Sequence, residues 1–243
     1  MSNPTETNHT NPAPNSTAQP APVKKTRRTL ASQDQRIIND ITEIRTALTA
    51  LQANTEAKTL MMPFGYDDDE IAVGVGHCTA GQAAVDTRQT ADATHIQIVT
   101  DLSALDQSTQ TDFSEFRKVV RASYKNNPAA LQALNATGRV PQDRESFITF
   151  ATTAYNAALG NPEYMTVLSR RSQTQASLQA KKDRLTALTQ ASATQDNASA
   201  AIKHTTAQRD QTIKTMRAWW SEFETMARIA YKDRPDLLGA LGL

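Results

Sequence analysis

Ile213-Lys214-Thr215-Met216-Arg217-Ala218-Trp219-Trp220-Ser221-Glu222-Phe223-Glu224-Thr225-Met226-Ala227-Arg228-Ile229-Ala230 is the stretch that decides the fold. Its apolar members Ile213, Met216, Trp220, Phe223, Ala227 and Ala230 recur at spacings of 3, 4, 3, 4 and 3. That pattern is the seam of a helix packed in a coiled coil. Upstream, Leu178, Leu185 and Leu188 open the same stripe, which thins through Gln190–Ala201 and resumes at Ile202. The step of eleven from Ile202 to Ile213 predicts a locally unwound supercoil. No glycine or proline interrupts the chain between Pro162 and Pro235.

Breakers are scarce elsewhere too. The 243 residues hold 8 Gly and 10 Pro, and no Pro lies between Pro63 and Pro128. Sandwiches, barrels and α/β folds mark a turn with Gly or Pro about every 8–15 residues, so those classes are excluded. The chain reads as all-α: an elongated antiparallel helical bundle with two very long helices. With aromatics at 5% but 37 Ala and 32 Thr, its core must be built largely from small side chains.

Residues 1–29 read as a disordered tail, too poor in apolar side chains to offset the entropy of ordering. The tail ends in Lys24, Lys25, Arg27 and Arg28, which suit a solvated linker or a tether to an anionic partner. Ser32 or Asp34 is the expected N-cap of the first helix. Ile37, Ile41, Ile44, Leu48 and Leu51 then form its apolar stripe. Phe64-Gly65-Tyr66 reads as a turn, and Asp67-Asp68-Asp69-Glu70 opens the second helix, where acids complement the dipole. A cation site there lacks the spacing of an EF-hand loop. The second helix should run about 58 residues, or about 85 Å at 1.5 Å per residue. Its buried stripe reads as Ile71, Val75, Cys78, Val85, Ile96, Val99, Phe113, Phe116 and Val120. Gly74-Val75-Gly76 follows no strand and precedes no Gly-Lys-Ser/Thr, so close helix packing is favoured over a phosphate loop. A short helix Ala129–Ala136, a helix capped by Asp143, and a break at Gly160-Asn161-Pro162 complete the first pass. That capped helix should bury Phe147, Phe150, Ala151, Ala154, Ala158 and Leu159.

The most specific feature is an internal repeat. At an ungapped offset of 107, Ser114, Glu115, Phe116, Arg121, Tyr124, Lys125, Pro128, Leu131, Ala133 and Leu134 are identical to Ser221, Glu222, Phe223, Arg228, Tyr231, Lys232, Pro235, Leu238, Ala240 and Leu241. Ile37 falls opposite Phe147 if three residues are inserted. The chain therefore reads as one bundle made of two copies, 30–140 and 141–243, related by pseudo-twofold symmetry. The repeated motif has a structural explanation. Phe and Tyr pack on the seam, the Lys pair occupies the last helical turn, Pro starts a short helix at N1, and the Leu pair folds that helix back. A symmetric polar site built from Arg121/Arg228 with Glu115/Glu222 is the alternative.

The run Trp220-Ser221-Glu222-Phe223, Ala227-Arg228, Asp233-Arg234-Pro235 and Leu237-Leu238-Gly239-Ala240-Leu241-Gly242 resembles the C-terminal signature of a group of uncharacterised bacterial proteins. Those proteins are all-helical and internally duplicated. The resemblance implies an all-helical fold and a bacterial origin, and it brings no activity.

Chemistry finds few candidates. The chain has a net charge of +1, which exerts no global pull on nucleic acid or anionic membrane. The lone Cys78 forms no intrachain disulfide and no cysteine zinc site. His95 and His204 lie 109 residues apart and are the best candidates for a shared metal or anion site. His77-Cys78 are helix neighbours that point about 100° apart, which argues against a nucleophile–base pair. Trp219 corresponds to Asp112 in the other copy, so strict equivalence turns it toward solvent or a partner, where an exposed Trp acts as an interface anchor; packing under the tail or a loop is the other reading.

These readings converge on a non-enzymatic helical scaffold or assembly protein, cytoplasmic and without a cofactor. It would act through self-association or docking on a protein partner, with Trp219 and the basic residues Lys24, Lys25, Arg27 and Arg28 as candidate contacts. A membrane-active protein of the α-helical pore-former type is the alternative, although no apolar hairpin is evident. A metal-binding bundle using His95 and His204 ranks below it.

Overall fold

The computed structural model describes residues 27–243. Lys24, Lys25 and the rest of the expected tail before Arg27 lie outside the described residues. The chain is all-α, with two very long helices packed antiparallel. Helix α1 spans Arg27–Ala53 and α2 spans Thr55–Met61, followed by a single 3-10 turn at Met62–Phe64. Then come α3 (Asp68–Ser123), α4 (Pro128–Ala133), α5 (Arg144–Gly160), α6 (Pro162–Ser169), α7 (Gln175–Ala230) and α8 (Pro235–Leu241).

Helix α1 buries the expected stripe. Ile37, Ile41, Ile44, Leu48 and Leu51 are all 3% exposed or less. Each such side chain contributes about 1.5–3 kcal/mol on leaving water. The helix starts earlier than its capping residues suggested. Arg27 and Arg28 belong to its first turn rather than to a tail, and Asp34 lies inside it. Asp34 is no cap, because its carboxylate is buried against two arginines.

Both long helices run 56 residues, which is about 84 Å. Asp67 caps α3 by accepting from the Glu70 amide at 2.9 Å. Thr174 caps α7 by accepting from the Ser177 amide at 3.2 Å. The break before α7 is one that the sequence concealed. Ser172, neither Gly nor Pro, takes φ +61°, and the amides of Arg171 and Gln173 close on the Leu168 carbonyl. Gly65 takes φ +88° at the corresponding place before α3.

Element boundaries recur at an offset of 107 residues. The N-caps Asn54 and Asn161, the helix starts Asp68 and Gln175, the C-caps Tyr124 and Tyr231, and the N1 residues Pro128 and Pro235 all obey it. In the shorter helix burial fits both the register with three residues inserted, in which Ile37, Ile41, Ile44 and Leu48 fall on buried Phe147, Ala151, Ala154 and Ala158, and the ungapped one. Ile44, Ala47, Leu48 and Leu51 are buried, and so are Ala151, Ala154, Tyr155 and Ala158 at the ungapped positions. Lys125 and Lys232 lie beyond the C-caps. The basic residues of the last helical turns are instead Arg121 and Arg228.

Two cores result, one at each end of the rod. The first joins α1 and the start of α3 to the end of α7 and to α8. The second joins the end of α3 to α5, α6 and the start of α7. Between Val85 and Phe113 the two apolar cores are separated by a neck of α3 and α7, flanked by the start of α1 at Arg88 and by the start of α5 at Asp106. Its inward positions on α3 are Arg88, His95, Ile98, Leu102 and Thr109. Facing them on α7 are Gln195, Ser199, Ile202 and Arg209. The spacing of three and four therefore continues through polar residues, and the seam is not interrupted between Ile202 and Ile213. Ile96 and Val99 sit one position off this seam and are 40% and 37% exposed, against the expectation that they line it. Phe150 and Leu159 are likewise only half-buried, because Tyr155 takes the inward position between them.

Candidate functional site

The structure separates the residues that the sequence nominated. Phe223, Tyr231, Leu238 and Leu241 pack in the first core, while Phe116, Tyr124, Leu131 and Leu134 pack in or against the second. Tyr231 donates to the Ala57 carbonyl at 2.9 Å, and Tyr124 donates to the Tyr164 carbonyl at 3.5 Å. The two acceptors are themselves 107 residues apart. Burial pushes the Tyr231 hydroxyl up to about 12 from an ordinary 10. Arg121 and Arg228 lie in opposite lobes, so they and their glutamates form no common site. Arg27 and Arg28 lie in α1, and the placement of their side chains is not described.

Trp219 does not project into solvent as strict equivalence implied. Its ring lies against Gly74, where an added Cβ would overlap it. It stacks on Phe223 with centroids 5.6 Å apart, and Tyr66 meets it edge-on at 5.9 Å. Its indole N–H donates to Glu70 at 2.6 Å. Gly74 is thus needed for close approach, whereas Gly76 faces open space. The Gly-x-Gly pattern serves packing here. His77 lies beside the same indole at 6.2 Å. Cys78 is fully buried on the apolar stripe, and burial raises its thiol pKa and so disfavours the thiolate.

The neck holds an ion cluster that sequence reading missed. Asp34 receives Arg88 Nη1 at 2.8 Å on one carboxylate oxygen and Arg209 Nη1 on the other. Arg88 and Asp34 are 3% exposed and Arg209 is fully buried. Arg209 also reaches Asp210 through Nη2 at 2.7 Å, while Arg88 Nε has no partner. Burying these ions costs several kcal/mol each before their mutual attraction offsets it. The cluster fastens α1 to α3 and α7 where the first core ends. At the far end of the neck, Arg144 spans Asp106 and Ser192, both at 3.2 Å. The available sequence signal was Arg88 and Arg209 standing at inward positions of the seam.

The proposed histidine site is not assembled. His95 Nε2 lies 3.2 Å from Ser199 Oγ, whereas His204 lines a separate groove with Ala83, Ala84 and Thr87. Ser199 gives its one proton to the Gln195 carbonyl at 2.9 Å, so it accepts from His95. That polarity is the reverse of a nucleophile–base pair. Among the described residues, no three His, Cys, Asp or Glu side chains converge as a metal ion requires. No helix among them is long and apolar enough to cross a membrane.

Two further arginines clamp the loop after α4. Arg117 is 7% exposed, and its Nη2 donates to the carbonyls of Ala136, Thr137 and Gly138 at 3.2, 3.0 and 2.8 Å. Arg121 Nε donates to the Ala136 carbonyl at 2.7 Å. Comparison of the chain with protein-family models, curated proteins and solved structures yields no match.

Proposed function

We propose that the chain is a duplicated helical scaffold that acts by contact, through self-association or docking on a protein partner, without catalysing a reaction. The observation that carries this reading is the division of the rod. The two apolar cores end on α3 at Val85 and at Phe113, about 40 Å apart along the helix. Such a shape presents two separate surfaces at a fixed spacing. Apolar side chains lie open on it: Ile96 and Val99 on the neck, and Met62, Phe64 and Val73 at the first lobe, 59%, 39% and 46% exposed. Exposed apolar surface of this kind favours protein contacts.

The duplication is supported by the caps that recur at 107 and by the paired Tyr231 and Tyr124 hydrogen bonds. The resemblance of the C-terminal signature to duplicated bacterial proteins fits the same reading. A cytoplasmic setting suits a chain whose single cysteine forms no disulfide. Light scattering after size exclusion, combined with electron microscopy, tests the proposal. We expect a defined oligomer or a defined complex. A strict monomer at all concentrations, with no protein partner on affinity capture, would overturn it. Leakage from lipid vesicles would instead favour the membrane-active alternative.

A further inference from the structure

A cavity of about 290 Å³ opens between the end of α3 and the loop before α5. Its wall carries Arg117, Lys118 and Arg121 together with Gln110, Ser114 and Gln142. Three cations on one wall need counter-charge, and among the described residues none of them pairs with a carboxylate. Glu115 lies one helical turn before Lys118 but forms no ion pair with it among the described residues, and Asp106 and Asp143 are engaged elsewhere. Asp106 holds Arg144 and accepts from Gln110, and Asp143 caps α5 by accepting from the Ser146 amide. The loop carbonyls engage Arg117 Nη2 and Arg121 Nε, which leaves Arg117 Nη1, the Arg121 Nη atoms and Lys118 Nζ as free donors. Arg117 Nε is buried with no partner.

We propose that this cavity binds a phosphate group, either as inorganic phosphate or as a small phosphate monoester. Guanidinium groups offer paired N–H donors matched to phosphate oxygens, and an ammonium adds a point charge. A dianion also relieves the repulsion between the Arg117 and Arg121 guanidiniums. The cavity is near the lower limit for organic ligands, which suits a compact anion over an extended one. The fold supplies its own control. At the offset of 107, Arg117 and Lys118 are replaced by Glu224 and Thr225, and only Arg121 keeps its counterpart, Arg228. The first lobe therefore lacks the cationic set.

Calorimetric titration of the full chain with inorganic phosphate and with glycerol phosphate tests the site, using chloride at matched ionic strength as reference. We expect one site per chain for phosphate and no heat from chloride. Lys118→Gln changes an exposed side chain, whereas Arg121→Gln also gives up the bond to the Ala136 carbonyl, so Lys118→Gln is titrated alone as well and thermal unfolding of each variant is measured alongside. Together the two substitutions should weaken binding about tenfold or more, because charge-assisted hydrogen bonds are lost. Arg228→Gln should bind as wild type does. Tighter binding of glycerol phosphate assigns the cavity to a monoester, and tighter binding of inorganic phosphate assigns it to the free ion. Equal affinity in wild type and the Arg121→Gln/Lys118→Gln variant, or phosphate indistinguishable from chloride, would overturn the proposal.

Discussion

Gly74 and Gly76 stand two residues apart on α3 with opposite environments. A Cβ at Gly74 collides with the Trp219 ring, whereas one at Gly76 meets nothing within 4 Å. Gly74→Ala should therefore destabilise the chain by about 1–3 kcal/mol through overpacking. Gly76→Ala should stabilise it by about 0.5–1 kcal/mol, since Ala costs less than Gly within a helix. Urea unfolding of the two variants checks the contrast, and equal effects would contradict the assigned packing. Asp34 invites a similar pair of measurements. Asp34→Ala leaves Arg88 buried without its closest anion and Arg209 with Asp210 alone, which should cost about 3–5 kcal/mol. Replacing Asp34, Arg88 and Arg209 with Leu and Met should be close to neutral, because no buried unpaired charge remains and Asp210 is open to solvent. Tyr231 holds its proton more tightly folded than unfolded. Its contribution is complete below pH 10 and declines as pH rises toward about 12, so Tyr231→Phe should flatten the alkaline limb of stability against pH. At this scale the sequence identified most inward apolar side chains, such as Ile41, Cys78, Phe116 and Phe223. It passed over Asp34, which stands in step with the stripe of α1 three residues before Ile37, because an apolar pattern skips a charged residue and its partners are 54 and 175 residues away.

Among the elements, the helix ends were more legible than the seam between them. Asp67, Asp143 and Asn161 all cap helices, because a short side-chain oxygen next to free amides has few better partners. The end of α6 was not legible, because Ser172 takes a left-handed conformation that its side chain does not favour. Ser172→Gly should raise stability by about 1 kcal/mol in thermal or urea unfolding by removing that strain. Ile96 and Val99 misled for a different reason. Apolarity marks a seam only while the seam is apolar, and in the neck Arg88, His95, Ser199 and Arg209 point inward instead. A seam of this composition buries little apolar surface. Backbone amides of the neck, in the middle of α3 and α7, should exchange with deuterium faster than those of the two cores. Uniform protection along both helices would contradict this.

For the whole molecule, each lobe draws helices from both halves of the chain. Neither residues 27–140 nor residues 141–243 contain a complete core, since Phe223 closes the first and Phe116 closes the second. Each half expressed alone should be unfolded or dimeric, and mixing the two should restore the helical signal of the intact chain. A folded monomer from either half, seen by light scattering and circular dichroism, would contradict the exchanged architecture. The sequence by itself determined the all-helical class, the long helices and the ten identities at an offset of 107, because helix periodicity, caps and breakers are local properties of the chain. The tertiary structure alone decided how those helices share their cores. It also placed Trp219 on Gly74 and built both the buried ion cluster and the cationic cavity. Those features depend on side chains far apart in sequence meeting at one depth of the antiparallel pair, and that register arises only when α3 and α7 pack together.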